Sequence, residues 1–275
     1  MTDATLDLVL RRDRMVVLAA LGALAALAWA YVLWLATQEA GHAAMADMSG
    51  MGMSGMDMAE MAGPSLHAWG AAEFGFMFVM WTVMMVGMML PSAAPMILIY
   101  AGVARQAQAR HQPFAATAWF AGGYLLAWTI FALVATLVQW ALEQALVLTP
   151  MIKTASTALG GVILIAAGVY QWTPLKDACL SQCQSPLLFI QRHGGIRREP
   201  QAALRLGMEH GLYCIGCCWA LMALLFVGGV MNVLWIAGIA ILVLVEKITP
   251  AGWWIARITG AAFVGAGAWL LALAS

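Results

Sequence analysis

Long apolar stretches alternate with short polar ones along this chain. Most of them are long enough to cross a bilayer as a helix, which takes about 20 residues. The pattern predicts an all-α fold, a polytopic transmembrane bundle with about seven spans, of which the sixth is the shortest. The predicted spans are residues 15–36, 73–100, 115–139, 154–172, 207–229, 232–245 and 254–274.

The composition agrees with this class of protein. Hydrophobic residues make up 64% of the chain and charged residues 9%, whereas a soluble domain carries about 25% charged residues. An ordinary soluble domain is therefore excluded, the lipid bilayer becomes the expected environment, and no nucleic-acid partner is expected.

The positions of the basic residues predict an orientation. With the N-terminus in the cytoplasm, 12 of the 13 Lys and Arg residues fall on inner segments, and only Lys153 falls outside. Such an excess on the cytoplasmic side is the rule for membrane proteins. We therefore expect a multi-pass protein of a bacterial inner membrane with a periplasmic C-terminus.

This topology divides the chain into three parts. Residues 1–38 form a cytoplasmic N-terminus and a first helix that is retained. Residues 39–72 form a flexible, periplasmic, methionine-rich segment. Residues 73–275 form a transmembrane domain of six helices, which is predicted to bind a metal.

The periplasmic segment carries an unusual amount of sulfur. Seven of the 20 methionines fall between Met45 and Met61, spaced mostly by Gly, Ser, Ala and Asp. The thioether is a soft, uncharged ligand that selects Cu(I), and the flexible spacers allow several sulfurs to converge on one ion. The predicted ligands here are Met48, Met51, Met53 and Met56. The alternative is a low-complexity linker that happens to be rich in methionine.

A second group of methionines follows on the second predicted helix. Met77, Met80, Met84 and Met88 fall on one face of that helix, and Met85 and Met89 form a neighbouring stripe that Met96 extends. Residues four apart are neighbours on a helix, so such pairs could share one ion. Pro91 and Pro95 are expected to kink the inner half of the helix. The alternative is that these methionines fill gaps between helices.

The third candidate is a cluster of cysteines on the fifth predicted helix. His210, Cys214, Cys217 and Cys218 share one face of it at spacings of three and four residues. Thiolate and imidazole ligands suit Cu(I) and also Zn(II). The alternative is that each Cys acts as a small hydrophobic residue.

Four further residues lie outside these groups. Cys179 and Cys183 form a C-x3-C pair on an inner loop, which could be a second thiolate site that receives metal or a redox pair. Glu246 and Lys247 end the sixth helix, where we expect them to pair with near neighbours or to mark the membrane interface.

Three pieces of sequence resemble a known family. They are MMVGMMLPSAAPM, GMEHGLYCIGCCWALMALLFVGGVMN and VEK, and the family is an uncharacterised bacterial one of predicted metal-binding integral membrane proteins. The resemblance covers residues 74–272 and implies metal binding without a settled activity. The matching positions are Met84, Met85, Met88, Met89, Pro91, Pro95, Cys214, Cys217, Cys218, Met222, Asn232 and Glu246. The methionine-rich segment also resembles the extracellular ends of eukaryotic copper importers.

Together these features predict a protein that captures periplasmic Cu(I) with methionines and passes it into or through the membrane. Its expected partners are the copper ion and a protein that receives it, which could be a cuproenzyme, a copper chaperone or another membrane subunit. Zn(II) is the alternative metal. The sequence contains no P-loop or phosphorylation motif, so any transport would be passive or ion-coupled. We do not expect an enzyme. The alternatives are a membrane thiol–disulfide redox protein and a structural subunit of a larger complex.

Overall fold

The computed structural model of the chain describes residues 3–51, 69–109, 116–145, 157–195 and 199–274, and within the first helix it describes the side chains of residues 15–38. In these ranges the protein is helical and contains no strand, as predicted. The helices are α1 (Asp3–Met51), α2 (Ala71–Ala109), α3 (Thr117–Gln144), α4 (Thr157–Tyr170), α5 (Pro174–Gln184), α6 (Pro186–Arg192), α7 (Pro200–Ala223), α8 (Leu225–Gly228), α9 (Val233–Ile248) and α10 (Gly252–Ala274).

Five stretches in the described ranges are long and apolar enough to cross a membrane. They are Met15–Gln38, Ala71–Arg105, Thr117–Gln144, Pro200–Gly228 and Gly252–Ala274. A sixth is added if α4 and α5, which meet at a bend of 64°, are taken as one broken span. The remaining predicted span, the sixth, corresponds to α9, which has only 16 residues. The count of seven and the orientation remain predictions.

The inner segment between the fourth and fifth predicted spans contains more helix than the sequence pattern indicated. Two short helices, α5 and α6, occupy most of it, and α7 begins at Pro200 rather than at residue 207. Each of these three helices has a proline in its first turn, where the missing N–H costs nothing. The Thr173 side chain also caps α5 by accepting from the backbone N–H of Lys176.

Two helices extend beyond their predicted ends. The first continues to Met51, through Ala-rich sequence that favours helix, so that residues 39–51 of the predicted flexible segment are helical here. Residues 52–68 lie outside the described ranges, and the flexible segment remains a prediction. The second helix continues through Pro91 and Pro95 to Ala109 and is assigned as one helix throughout.

Glycines allow some of the helices to approach closely. A Cβ atom on Gly123 of α3 would collide with the carbonyl oxygen of Leu204, and one on Gly207 of α7 would collide with that of Phe120. Helices α4 and α10 pack in a similar way through Gly161. Small residues at such contacts are typical of helices packed in a membrane. The contact of α3 with α7 fixes the helix that carries the cysteines.

Candidate metal centre

The three cysteines of α7 lie in the interior of the bundle. Cys214, Cys217 and Cys218 are each at most 2% exposed. The spacing of three and four residues places them on one face, as predicted. Both Cys217 and Cys218 donate their S–H to the carbonyl oxygen of Cys214, at 3.1 Å and 3.0 Å. The thiols therefore point back toward their own helix in this structure.

A lysine from α9 reaches the first of these cysteines. Lys247 Nζ lies 2.7 Å from Cys214 Sγ and 3.3 Å from the hydroxyl oxygen of Ser92. The prediction that Lys247 pairs with near neighbours or marks the interface was wrong, because packing of α9 against α2 and α7 turns it into the bundle. A buried ammonium needs an anionic partner, and a Cys214 thiolate would supply the negative charge.

A tyrosine links the cysteine cluster to the methionine helix. The Tyr124 hydroxyl lies 3.1 Å from Cys214 Sγ and 3.2 Å from the carbonyl oxygen of Met89, to which it donates. The same carbonyl accepts from Ser92. Tyr124 therefore holds α7 and α2 in register at the level of the sulfur atoms.

One methionine contacts the cluster directly. Met89 Sδ lies 4.0 Å from Cys218 Sγ and is fully buried. This contact connects the second predicted methionine stripe to the cysteines.

The other predicted methionine ligands of α2 have different surroundings. Met84 and Met88 lie on the side of α2 that faces α1 and α9, with Val32 and Ile236, around a gap too small to hold a water molecule. Met77 accepts a weak hydrogen bond from Gln139 on α3 at 3.8 Å. Met80 and Met85 are buried in the core. Most of the stripe thus packs among helices, and the thioethers of α2 do not all face α7.

His210 lies one turn from Cys214 on the same helix and is 3% exposed. Its ring sits among Phe120, Tyr124 and Phe189, at centroid distances of 6.1 Å, 5.8 Å and 5.1 Å. Its Nδ1 has no hydrogen-bond partner among the described residues. A buried nitrogen without a partner is costly, so this atom is available to a ligand that the structure does not contain.

The cysteines of the predicted inner loop join the same region. Helix α5 packs along α7, and Cys179 and Cys183 pack against the buried cluster that includes Cys214 and Cys217. A Cβ atom on Gly216 would come within 2.7 Å of the sulfur of Cys179. The C-x3-C pair is therefore adjacent to the α7 cluster, although Cys183 is 31 residues from Cys214 in the chain.

A buried ion pair lies beside this region. Lys176 Nζ is 2.7 Å from a carboxylate oxygen of Glu246, and both side chains are at most 2% exposed. Gln171 donates to the other carboxylate oxygen at 3.0 Å and accepts from Lys176. Glu246 therefore pairs across helices rather than locally. In the sequence, two adjacent charged residues, Glu246 and Lys247, end an apolar helix. Charged residues at such a position usually have a specific partner, and this could have indicated that Glu246 is paired.

These side chains do not form a closed metal site. Among the residues that the structure describes, no three His, Cys, Asp or Glu side chains are arranged to hold a metal ion. The thiols of Cys217 and Cys218 would have to turn away from the carbonyl oxygen that they now contact. Of the four predicted periplasmic ligands, Met53 and Met56 lie outside the described ranges, and Met48 and Met51 are described only as helical backbone.

Comparison with known proteins gives one match. The model of the family PpoB2, described as a copper chaperone, matches residues 78–270, which is well over half of the chain. The match includes the described cysteines, Met89 and Lys247. No curated protein and no solved structure matches.

Proposed function

Because the chain belongs to the PpoB2 family of copper chaperones, we propose that it binds Cu(I) at the α7 cysteines and passes the ion to an acceptor. The observation that carries this proposal is the contact between two soft ligands from different helices. Cys218 Sγ meets Met89 Sδ at 4.0 Å in a buried region. Thiolate and thioether ligands together favour Cu(I) over harder ions.

The charges around the cluster suit a monovalent ion. A buried site is stable when its charges nearly cancel. Lys247 contributes one positive charge beside Cys214, and a Cu(I) ion adds another. Two thiolates then balance the site, and the α7 cluster has three cysteines from which to supply them. A Zn(II) ion would require a third thiolate for the same balance.

The methionines would serve as the approach to this site. We propose that the segment around Met48, Met51, Met53 and Met56 captures Cu(I), because uncharged thioethers bind and release it readily. On α2, Met89 is the last thioether before the thiols. Since Met84 and Met88 lie on the side of α2 that faces α1, we propose that the ion passes along that side first; the helices must separate there, because the gap between them is too small for a water molecule. Movement from thioether to anionic thiolate would be downhill.

Anaerobic titration of the purified protein with Cu(I) tests the binding. We expect at least one tightly bound Cu(I) per chain, with sulfur neighbours in the X-ray absorption spectrum. The variant Cys214→Ser/Cys217→Ser/Cys218→Ser should lose this ion. As a control, Leu212→Ala changes an exposed position of the same helix and should retain it. Protein that takes up no Cu(I), or a triple variant that binds as the unmodified protein does, would contradict the proposal.

One observation favours a second candidate, a thiol–disulfide redox protein. Cys183 of α5 packs against the buried cluster that includes Cys214 and Cys217 of α7, so a disulfide between these two helices needs only a small movement. Protein that binds no Cu(I), but whose thiols are oxidised by a quinone and reduced again by a dithiol, would support this function instead.

A further inference from the structure

Helix α5 carries a pair of cysteines that the copper site itself does not require. We propose that Cys179 and Cys183 form a transfer dithiol through which Cu(I) leaves the α7 cluster for its acceptor. This inference rests on the proposed function, since it assigns the route by which the chaperone releases its ion.

The position of Cys183 is the first support. It packs against the buried cluster that includes Cys214 and Cys217, and it comes from α5, which lies along α7. It can therefore bind an ion held by either α7 cysteine without any large movement of the backbone.

The position of Cys179 is the second support. It lies one helical turn before Cys183 on α5, so both sulfurs can face α7. Gly216 leaves the space that the Cys179 sulfur occupies, because a Cβ atom there would come within 2.7 Å of it. The pair thus lies beside the stretch of α7 that carries the cluster.

Exposure distinguishes the two groups of cysteines. The three α7 cysteines are buried, whereas Cys179 and Cys183 are half-buried. The ends of α5 are polar, with Asp177 in its first turn and Gln184 in its last. An acceptor protein cannot reach buried thiols, but it can reach the α5 pair after a small adjustment. This difference in exposure indicates the direction of transfer, in which Cu(I) moves from the buried α7 cysteines to the more exposed α5 pair.

Contacts at both ends of α5 fix its position beside α7. Lys176 is tied to Glu246 of α9 by the buried ion pair. At the other end of α5, Gln184 donates to the carbonyl oxygens of Glu246 and Thr249, at 2.8 Å and 3.1 Å. The residue after Glu246 is Lys247, which contacts Cys214. One end of α9 therefore positions both partners of the transfer.

The transfer is a ligand exchange. A Cu–S bond to Cys183 forms while a Cu–S bond to Cys214 or Cys217 breaks. The incoming thiol gives up its proton and the departing thiolate takes one up. Copper remains Cu(I) throughout, so no oxidant or reductant is needed. Cu(I) then moves onto Cys179 and finally onto a thiol of the acceptor. In each of these steps one Cu–S bond forms as another breaks, and one proton is exchanged between the two thiols.

The rate of copper release tests this inference. Protein loaded with one Cu(I) per chain is mixed with bicinchoninate, and the coloured Cu(I) complex is followed over time. The variant Cys179→Ser/Cys183→Ser should keep its Cu(I) but release it about tenfold more slowly or worse. Ser181→Ala, on the exposed face of the same helix, should release it at the unmodified rate. Equal rates for the double variant and the unmodified protein would overturn the inference.

The possible failures can be told apart. If the unmodified protein binds no Cu(I), the proposed function fails. If the double variant is folded but binds no Cu(I), the α5 cysteines are primary ligands and the inference of a transfer pair is wrong.

A measurement without mutation covers the case in which the double variant does not fold. Copper-loaded protein is treated with N-ethylmaleimide, and mass spectrometry confirms modification of the half-buried Cys179 and Cys183. Copper release should then slow as in the variant. Release at the original rate after complete modification of both residues would overturn the inference.

Discussion

Met89 is the residue at which the two sulfur-bearing helices meet. Its thioether lies beside Cys218 and its carbonyl oxygen accepts from Tyr124. Replacement of Met89 by Leu keeps the volume of the side chain and should cost less than about 1.5 kcal/mol of stability. It removes one soft ligand, so we expect Cu(I) affinity to fall about tenfold, or about 1.4 kcal/mol, as measured by competition with a Cu(I) chelator.

Met84→Leu is the matched control for this prediction. Met84 is also buried on the same helix but lies on the side that faces α1. Its replacement should leave the affinity of the α7 site unchanged. If Met84→Leu and Met89→Leu lower the affinity equally, the Met89 thioether has no special role.

Neighbouring glycines on α3 offer a second test at single residues. A Cβ atom at Gly123 would collide with the backbone of α7, whereas one at Gly122 meets nothing within 4 Å. Gly123→Ala should therefore destabilise the protein by about 1–3 kcal/mol or more. Gly122→Ala should be neutral or stabilising by up to about 1 kcal/mol, since alanine favours helix. Thermal unfolding in detergent measures both, and a similar loss for both variants would contradict the packing of α3 on α7.

At this scale the sequence identified residues that share one helix and missed those that meet across helices. The spacing of Cys214, Cys217 and Cys218 follows from helix geometry and was predictable. The approach of Lys247 to Cys214 depends on how α9 packs on α7, which no local pattern encodes. The same holds for Cys183, which lies far from the α7 cysteines in the chain.

At the scale of helices, the buried pair of Lys176 and Glu246 joins α5 to α9. Removing one partner leaves a buried charge alone, so Glu246→Ala should cost about 3–5 kcal/mol of stability. The double variant Lys176→Met/Glu246→Leu removes both charges and should recover most of that loss. A thermal unfolding series of the single and double variants measures the coupling. A double variant less stable than Glu246→Ala would show that the pair does not act as a unit.

The predicted helices were most accurate where an apolar run was long and uninterrupted. Helices α3 and α10 begin and end close to the predicted residues. The short helices α5 and α6 were predicted as a loop, because a helix of 11 or 7 residues leaves no long apolar run. Their existence decides where Cys179 and Cys183 lie, so this error also hid the proximity of the two cysteine groups.

At the scale of the whole molecule, the family match and the methionine-rich segment occupy different parts of the chain. The match begins at residue 78, after the whole of α1 and all seven methionines between Met45 and Met61. The cysteines, Met89, Lys247 and the α5 pair all fall inside it. The part of the chain that carries the family likeness therefore contains the complete candidate site, and the methionine-rich segment is an addition to it.

This division predicts that the segment and the site bind copper independently. Replacing all seven of these methionines by Ser removes the uncharged thioethers and leaves every residue of the α7 site in place. We expect the variant to lose the weakly bound Cu(I) ions and to keep the tightly bound ion with its sulfur ligands. Equilibrium dialysis against increasing Cu(I), with copper and protein measured on the same samples, gives the number of weakly bound and of tightly bound ions per chain. A variant that also loses the tight ion would show that the segment supplies ligands to the buried site.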